Sequence, residues 1–326
     1  MQPLAVTAFI DGRPGHEKQT RGVLAAMAAE TPVDVTFHTV KPGSFFRGFL
    51  DWARYFGRYL FPVKTIVKSK SIDLIIGTGS HTHVPMLALK KMSGAKVVTC
   101  MSPSFPFIRL MDLCFVPEHD EKEPAENIFA TIGPPNTSES KGWHCPEKGL
   151  ILVGGIDEKS HRWSTSRVLD QIHTILKKDT GTTWTLSSSP RTPEETHLAL
   201  ERLAGENKKI LFFRPESTPP GWIEKQYDKS GSVWVTADSI SMVFEALTAG
   251  CRVGILPVEW KGKDNKFNRS ADFLISNGWV TSFEKWKINM EITAPEANLD
   301  EAARCAREIL NRWWPNRLLS YNCSRS

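Results

Sequence analysis

Short apolar runs recur along the chain, each closed by a glycine- or serine-bearing loop and followed by residues with helical spacing. That alternation predicts parallel strands joined by crossover helices. In the first half the runs fall at 4–10, 33–40, 72–76, 95–100 and 113–116. Helices follow Asp11-Gly12-Arg13-Pro14-Gly15, to about 30, and Gly77-Thr78-Gly79-Ser80, to about 92. Residues 134–149 break the rhythm with Pro134, Pro135 and Pro146 among polar residues, as a connector between domains does. The cycle then restarts, with strands at 150–153, 183–187, 210–213, 233–235 and 252–256, and helices at 163–178, 193–203 and 300–313. The fold class expected is α/β, with two Rossmann-like doubly wound domains facing a cleft. The expected boundaries are 1–140 for the first domain, 141–149 for the linker and 150–299 for the second domain. A C-terminal helix within 300–326 is expected to pack back on the first domain.

Size and charge narrow the function classes. The 326 residues favour two domains over one. The 41 basic and 36 acidic side chains leave a net charge of +5, a mild excess that suits an anionic substrate and does not call for nucleic acid. Cys100, Cys114, Cys145, Cys251, Cys305 and Cys323 form no C-x-x-C pair, which argues against a zinc knuckle and for reduced thiols. The opening apolar run lacks a basic flank, and no stretch reaches the roughly 20 apolar residues a membrane span needs. A cytoplasmic location follows as the expectation.

The segment at 233–250 carries the most chemistry. An apolar strand enters Thr236-Ala237-Asp238-Ser239, whose Asp and Ser suit a helix N-cap, and Gly250 is placed to end that helix. A helix start offers free N–H groups and partial positive charge to a diphosphate. Ser241 and Glu245 lie four apart on one helical face, so Glu245 sits one turn deeper, where a carboxylate can take two ribose hydroxyls. The polar loop after Pro257 offers Asn265 and Asn268 to sugar hydroxyls and Lys263 or Lys266 to phosphate. Gly154 and Gly155 let bare backbone approach a phosphate, and Ser187, Ser188, Ser189 and Arg191 offer hydroxyls and a guanidinium. Each of these loops also reads as an ordinary solvated connection. Their expected convergence on one sheet edge favours the binding role.

In the first half, Asp11, His16 and Glu17 follow the first strand and are candidate general bases for an acceptor hydroxyl. The same residues also read as a turn former and helix-start positions. The loop is not G-x-G-x-x-G, which disfavours a dehydrogenase. Arg13, Gly79, Ser80, His81 and His83 are candidates for the acceptor side. His81 and His83 are spaced i, i+2 without a third ligand, so hydrogen bonding is preferred to metal binding, and no metal or other cofactor is expected. Residues 44–64 interleave Phe, Trp and Tyr with Arg47, Arg54 and Arg58. A core helix with outward arginines is favoured there over an amphipathic helix touching an anionic membrane.

These motifs carry two resemblances. Thr236 to Gly250 with the following strand and helix resembles the donor half of the glycosyltransferase that adds N-acetylglucosamine to the peptidoglycan lipid intermediate. The chain as a whole is similar to the mitochondrial fission Elm family and its bacterial relatives. That likeness rests on Asp11-Gly-Arg-Pro-Gly-His-Glu17, Gly77-Thr-Gly-Ser-His81, Val153-Gly-Gly155, Ser187-Ser-Ser-Pro-Arg-Thr192 and Val235-Thr-Ala-Asp-Ser-Ile-Ser-Met242. The resemblance implies the GT-B glycosyltransferase architecture. It implies transfer of a sugar from a nucleoside-diphosphate sugar to a cell-envelope acceptor, such as a lipopolysaccharide or lipid-linked glycan. Two alternatives stay open: a nucleotide-sugar epimerase on the same fold, and a non-catalytic adaptor.

Overall fold

A computed structural model describes residues 1–40, 71–120, 122–262 and 265–318. The expectations for 44–64, Lys263 and Cys323 lie outside these residues. The chain divides into two compact units, Met1–Thr137 with Asp300–Ser326, and Ser138–Leu299.

The first unit contains β1 (Leu4–Ile10), α1 (Pro14–Glu30), β2 (Val33–Thr39), β3 (Leu74–Gly77), α2 (Ser80–Ser93), β4 (Lys96–Thr99), β5 (Leu113–Pro117) and β6 (Ile128–Thr131). The strands run parallel in the order β2-β1-β3-β4-β5-β6. All four residues of β3 are buried, as expected of a strand covered on both faces. On one face Leu4, Val6 and Ala8 pack with Val23 and Met27 of α1; on the other Phe9, Ile75 and Val97 pack with Met86 and Leu89 of α2. Pro14 opens α1, where its missing N–H costs nothing and its fixed φ suits the helix. Gly94, at φ 71°, ends α2 and returns its N–H to Lys90 O.

The second unit follows as β7 (Cys145–Leu152), β8 (His161–Arg162), α3 (Thr165–Lys178), β9 (Thr183–Ser187), α4 (Glu194–Glu206), β10 (Ile210–Phe213), α5 (Trp222–Lys229), β11 (Ser230–Thr236), α6 (Ile240–Thr248), β12 (Arg252–Leu256), β13 (Glu259–Trp260), α7 (Lys266–Ser276), β14 (Thr281–Ser282) and α8 (Phe283–Asn289). Its parallel sheet has the order β10-β9-β7-β11-β12-β14, and β8 pairs antiparallel with β13. Two buried tryptophans face glycines across adjacent strands: Trp184 lies opposite Gly149, and Trp234 opposite Gly254. A Cβ at either glycine would run into the indole, so the small residue makes room for the large one.

The chain then returns to the first unit as α9 (Glu301–Trp313). Asp300 caps the helix by accepting from Ala303 N at 2.9 Å. The buried Glu301 accepts from Ile132 N at 3.2 Å and from Arg304 Nη1 at 2.6 Å. Desolvation raises the Glu301 carboxyl above its ordinary value, partly offset by Arg304. Cys305, Ile309 and Leu310 complete the core that Val23 and Met27 begin.

Several features depart from the sequence pattern, among them the short β8, β13, β14 and α8, which no expected run covers. Strand β7 begins at Cys145, inside the stretch expected as linker, and β6 and α5 had no counterpart among the expected elements. Residues 145–148 are exposed or half-buried, so they lack the apolar signature that marks the rest of β7.

In a doubly wound sheet, ligands bind where successive strands depart in opposite directions. In the first unit this switch lies between β1 and β3, and in the second between β7 and β11.

Candidate functional site

The second unit's switch point gathers the loops after β7, β9 and β11. Thr236 Oγ1 accepts from Gly154 N at 2.7 Å, and Asp238 Oδ2 accepts from Gly155 N at 3.0 Å. Arg191 Nη2 donates to Asp238 Oδ2 at 2.9 Å and Nη1 to Gly155 O at 3.3 Å. Thr192 Oγ1 accepts from Ser189 N at 2.9 Å and donates to Gly154 O. Both glycines are required. A Cβ on Gly154 would enter the Asp238 carboxylate and Ser239, and one on Gly155 would enter the backbone of Arg191.

A cavity of about 450 Å³ opens beside this knot, walled by Ile156, Asp157, Arg191, Phe267 and residues 238–242. The first N–H groups of α6, at Ile240 and Ser241, have no intrahelical acceptor by position. Arg191 is less than half exposed, and the Asp238 side chain is 1% exposed. The Asp157 carboxyl is held below its usual range, first by the Lys159 N–H and with help from Arg191 nearby.

The remaining second-unit candidates take different places. Ala237 donates its N–H to Leu256 O at 2.9 Å, locking the loop to β12. Ser187 Oγ donates to Ser188 O at 3.5 Å, and the buried Ser188 Oγ has no hydrogen-bond partner. Ser241 and Met242 line the cavity. Glu245 is buried on α6 and is not among the cavity walls; its charge bears on the buried Tyr227, whose hydroxyl is pushed up first by desolvation and then by Glu245. Asn265 caps α7 through Phe267 N at 2.9 Å and donates to Ser160 O at 3.1 Å, while Asn268 donates to Asp272 Oδ2 at 3.1 Å on the exposed side of α7. Neither asparagine lines the cavity. Asp157, which does, had no sequence signal beyond following Gly154-Gly155.

At the first unit's switch point, Asp11 follows β1 with its side chain fully buried. Its Oδ2 accepts from His16 Nδ1 at 2.9 Å, and its Oδ1 from Arg13 N at 3.2 Å. Arg13 Nε lies 4.0 Å from the carboxylate. Gly79, at φ 106°, lies against the pair, and a Cβ there would strike both Asp11 and His16. The His16 side chain is 26% exposed, so its ring reaches solvent. Glu17 points along α1 to Arg21, 3.5 Å away. Ser80 is exposed at the start of α2, and His81 is half-buried.

His83, one turn into α2, is buried against Phe107, and its Nε2 has no partner. Burial, then the charges of His16 and His81, push its pKa down to about 4, so it is neutral at physiological pH. Thr99 Oγ1 and Ser102 Oγ, at the carboxyl end of β4, are also buried without partners. Sequence reading passed over both, since they follow an ordinary apolar run. The thiols are structural: burial raises Cys100, Cys114 and Cys251 to about 12. Among the described residues no group of three or more His, Cys, Asp or Glu is arranged to hold a metal, and no helix is long and apolar enough to cross a membrane.

Two parallel doubly wound units, each with its polar residues at the switch point, place the chain among α/β proteins of the GT-B type. The sequence profile of the mitochondrial fission ELM1 family matches residues 14–313, and the chain belongs to that family. Among curated proteins no sequence matches the chain. Among solved structures it is similar to the UDP-GlcNAc 2-epimerase of Methanocaldococcus jannaschii, with 13% identity, 95% of this chain and 99% of the other covered, and a TM-score of 0.55. It is similar to the Neisseria meningitidis UDP-GlcNAc 2-epimerase bound to UDP-GlcNAc, with 12% identity, 96% and 100% covered, and a TM-score of 0.54. A spinosyn forosaminyltransferase aligns at 12% identity over 98% of both chains with a TM-score of 0.51. At these identities the likeness is one of fold.

Proposed function

We propose that this protein is a nucleotide-sugar enzyme, a glycosyltransferase that moves a sugar from a nucleoside-diphosphate sugar to a hydroxyl of a cell-envelope glycan or lipid-linked acceptor. The observation that carries the reading is the meeting of Arg191 and the start of α6 around one cavity at the second unit's switch point, with Asp238 tied to Gly155 and Arg191 beside it. Helix-start N–H groups and a guanidinium are the donors a diphosphate needs. Glu245, deeper on the same helix, is the proposed ribose partner.

His16 is the proposed base. Asp11 receives hydrogen from Nδ1, which leaves the Nε2 lone pair to take the proton of the acceptor hydroxyl. The acceptor oxygen forms its bond to the anomeric carbon as the bond from that carbon to the diphosphate breaks. The nucleoside diphosphate departs with the electron pair, its charge met by Arg191 and the N–H groups of α6. Calorimetric titration of the folded protein with UDP, GDP and CMP tests the reading, and absence of binding to all three refutes it.

The likeness in fold to UDP-GlcNAc 2-epimerases over nearly the full length of both chains supports a second reading, epimerisation of the donor itself. NMR of the nucleotide sugar incubated with enzyme and no acceptor separates the two, because only an epimerase converts it. An adaptor role, the remaining alternative, predicts silent Asp11→Ala and Glu245→Ala phenotypes together with strong partner capture.

A further inference from the structure

Two carboxylates stand in the wall of the cavity at the start of α6, and they are placed differently. Asp238 is sealed in. Both of its oxygens press on Gly154, where a Cβ would meet them, and Oδ1 is enclosed without a partner. Its contacts are internal, with Oδ2 holding Gly155 N and Arg191 Nη2. Asp157 is only half-buried and lines the cavity. Its Oδ1 accepts from Lys159 N at 3.1 Å. That N–H, opposed by partial burial and helped by Arg191, favours the ionised form. The turn carrying it is fixed: Ile156 N donates to Arg191 O at 2.9 Å, and Asp157 O accepts from Ser160 N at 3.1 Å. The same turn is stitched to the start of α7. Asn265 accepts from Phe267 N at 2.9 Å and donates to Ser160 O at 3.1 Å, and Lys261 N donates to that same oxygen at 3.0 Å. Phe267 is half-buried and lines the cavity together with Ile156, which is 47% exposed. Beside the donors of Arg191 and α6, the cavity thus offers an ionised acceptor on one framework with an aromatic and an aliphatic surface.

A diphosphate presents only acceptors and is repelled by Asp157, so this part of the cavity takes another portion of the ligand. That portion must donate hydrogen bonds and carry an apolar face. A sugar ring does both, with hydroxyls around its edge and C–H groups across its faces. The proposed ribose partner, Glu245, is not a wall of this cavity. We infer that Asp157 and Phe267 form the subsite for the transferred sugar: the carboxylate accepts hydrogen bonds from its hydroxyls, and the aromatic ring, with Ile156, covers its C–H face. A few placed polar groups among apolar walls are what orients a small ligand. This deepens the nucleotide-sugar reading and rests on it. Asn265 enters the site as a positioning residue, because it ties the turn of Asp157 to Phe267.

The test is calorimetric titration of the full chain with UDP against UDP-N-acetylglucosamine and GDP against GDP-mannose, in wild type, Asp157→Asn and Phe267→Leu. Asparagine keeps an oxygen for Lys159 N, so the turn retains its contact. In Asp157→Asn the ratio of affinities, sugar form over bare diphosphate, is expected to fall about tenfold, the size of one hydrogen bond to a charged acceptor. Bare UDP and GDP should bind as well as to wild type, or better. Phe267→Leu stays apolar but loses the flat ring, and the ratio should fall about threefold; this variant carries the test where Asp157→Asn does not fold. An unchanged ratio in either variant removes that residue from the subsite. Equal weakening of both forms would move the contact to the ribose or the diphosphate and overturn the inference. Weakening confined to the two guanine compounds would overturn it too, since guanine N–H groups would then be what the carboxylate reads. Repeating the titration with EDTA and with magnesium covers a bound cation: metal-dependent binding lost in Asp157→Asn would make the carboxylate a metal ligand instead. If wild type binds none of the four compounds, the nucleotide-sugar reading has failed, and the inference falls with it before any variant is compared.

Discussion

The carboxyl edges of the two sheets follow one rule of architecture and present opposite chemistry. At the first, a buried carboxylate orients an imidazole that reaches solvent, with a second, uncharged imidazole buried nearby. At the second, a buried carboxylate orients a guanidinium over bare glycine backbone and a helix start. Both edges use an acidic residue immediately after a strand, Asp11 after β1 and Asp238 shortly after β11, and both need glycine where a side chain would strike it. What differs is the partner held. An imidazole exchanges protons near neutral pH, whereas a guanidinium keeps its charge. On the proposed reading the same local device serves proton transfer in one unit and anion retention in the other.

Four substitutions probe that contrast, beginning with the largest effect. His16→Ala should lower kcat/KM on the order of a hundredfold or more, as loss of a general base does, with nucleotide affinity unchanged by titration. Loss of nucleotide binding in this variant would erase the distinction between the edges. Gly155→Ala should cost about 3 kcal/mol of stability, because the new methyl meets unyielding backbone at Arg191; urea unfolding measures it, and a neutral outcome would mean the loop is not as tightly drawn.

His83→Asn acts through pH. The histidine binds a proton in the unfolded chain below about 6.5 but in the folded protein only below about 4. Acidification through that window therefore destabilises the fold, and stability is recovered above it. Replacing His83 should remove about 2 kcal/mol of the loss between pH 7 and pH 5, seen as a flatter dependence of the urea midpoint on pH. Arg191→Gln should weaken UDP binding about tenfold through loss of a charged donor. It should leave the pH dependence attributed to His83 intact, which equilibrium unfolding at pH 5 checks.

Much of this was readable from residue order. The strands at Leu4–Ile10, Thr183–Ser187 and Arg252–Leu256 coincide with their apolar runs because both of their faces are largely covered; the edge strand Ile210–Phe213 coincides too, although Leu211 is exposed. Strand ends that leave the core were hidden: Cys-Pro-Glu-Lys at the start of β7 and Ser-Gly-Ser at the start of β11 carry no apolar pattern, yet they continue the sheet. Asp11 and His16 were legible as candidate residues, but their contact was not, since it depends on how the turn between β1 and α1 folds. The empty oxygen of Asp238 was not legible either, since which lone pairs remain unused depends on how three loops fold together. The burial of His83 was hidden for the same reason, because the wall that desolvates it includes Phe107, from a separate loop. Asn265 shows a competing use of one residue type: an amide in a polar loop suggests a ligand contact, and in the fold it caps a helix start.

The closing helix α9 gives the chain an order of events during its synthesis. Residues 138–299 emerge from the ribosome as one uninterrupted stretch that contains all of their own unit, whereas the earlier sheet must wait for Cys305, Ile309 and Leu310 to seal it. The later-made half is thus free to fold while the earlier-made half still exposes apolar surface around Val23 and Met27, and a chain cut before Asp300 should leave that surface to chaperones or aggregation.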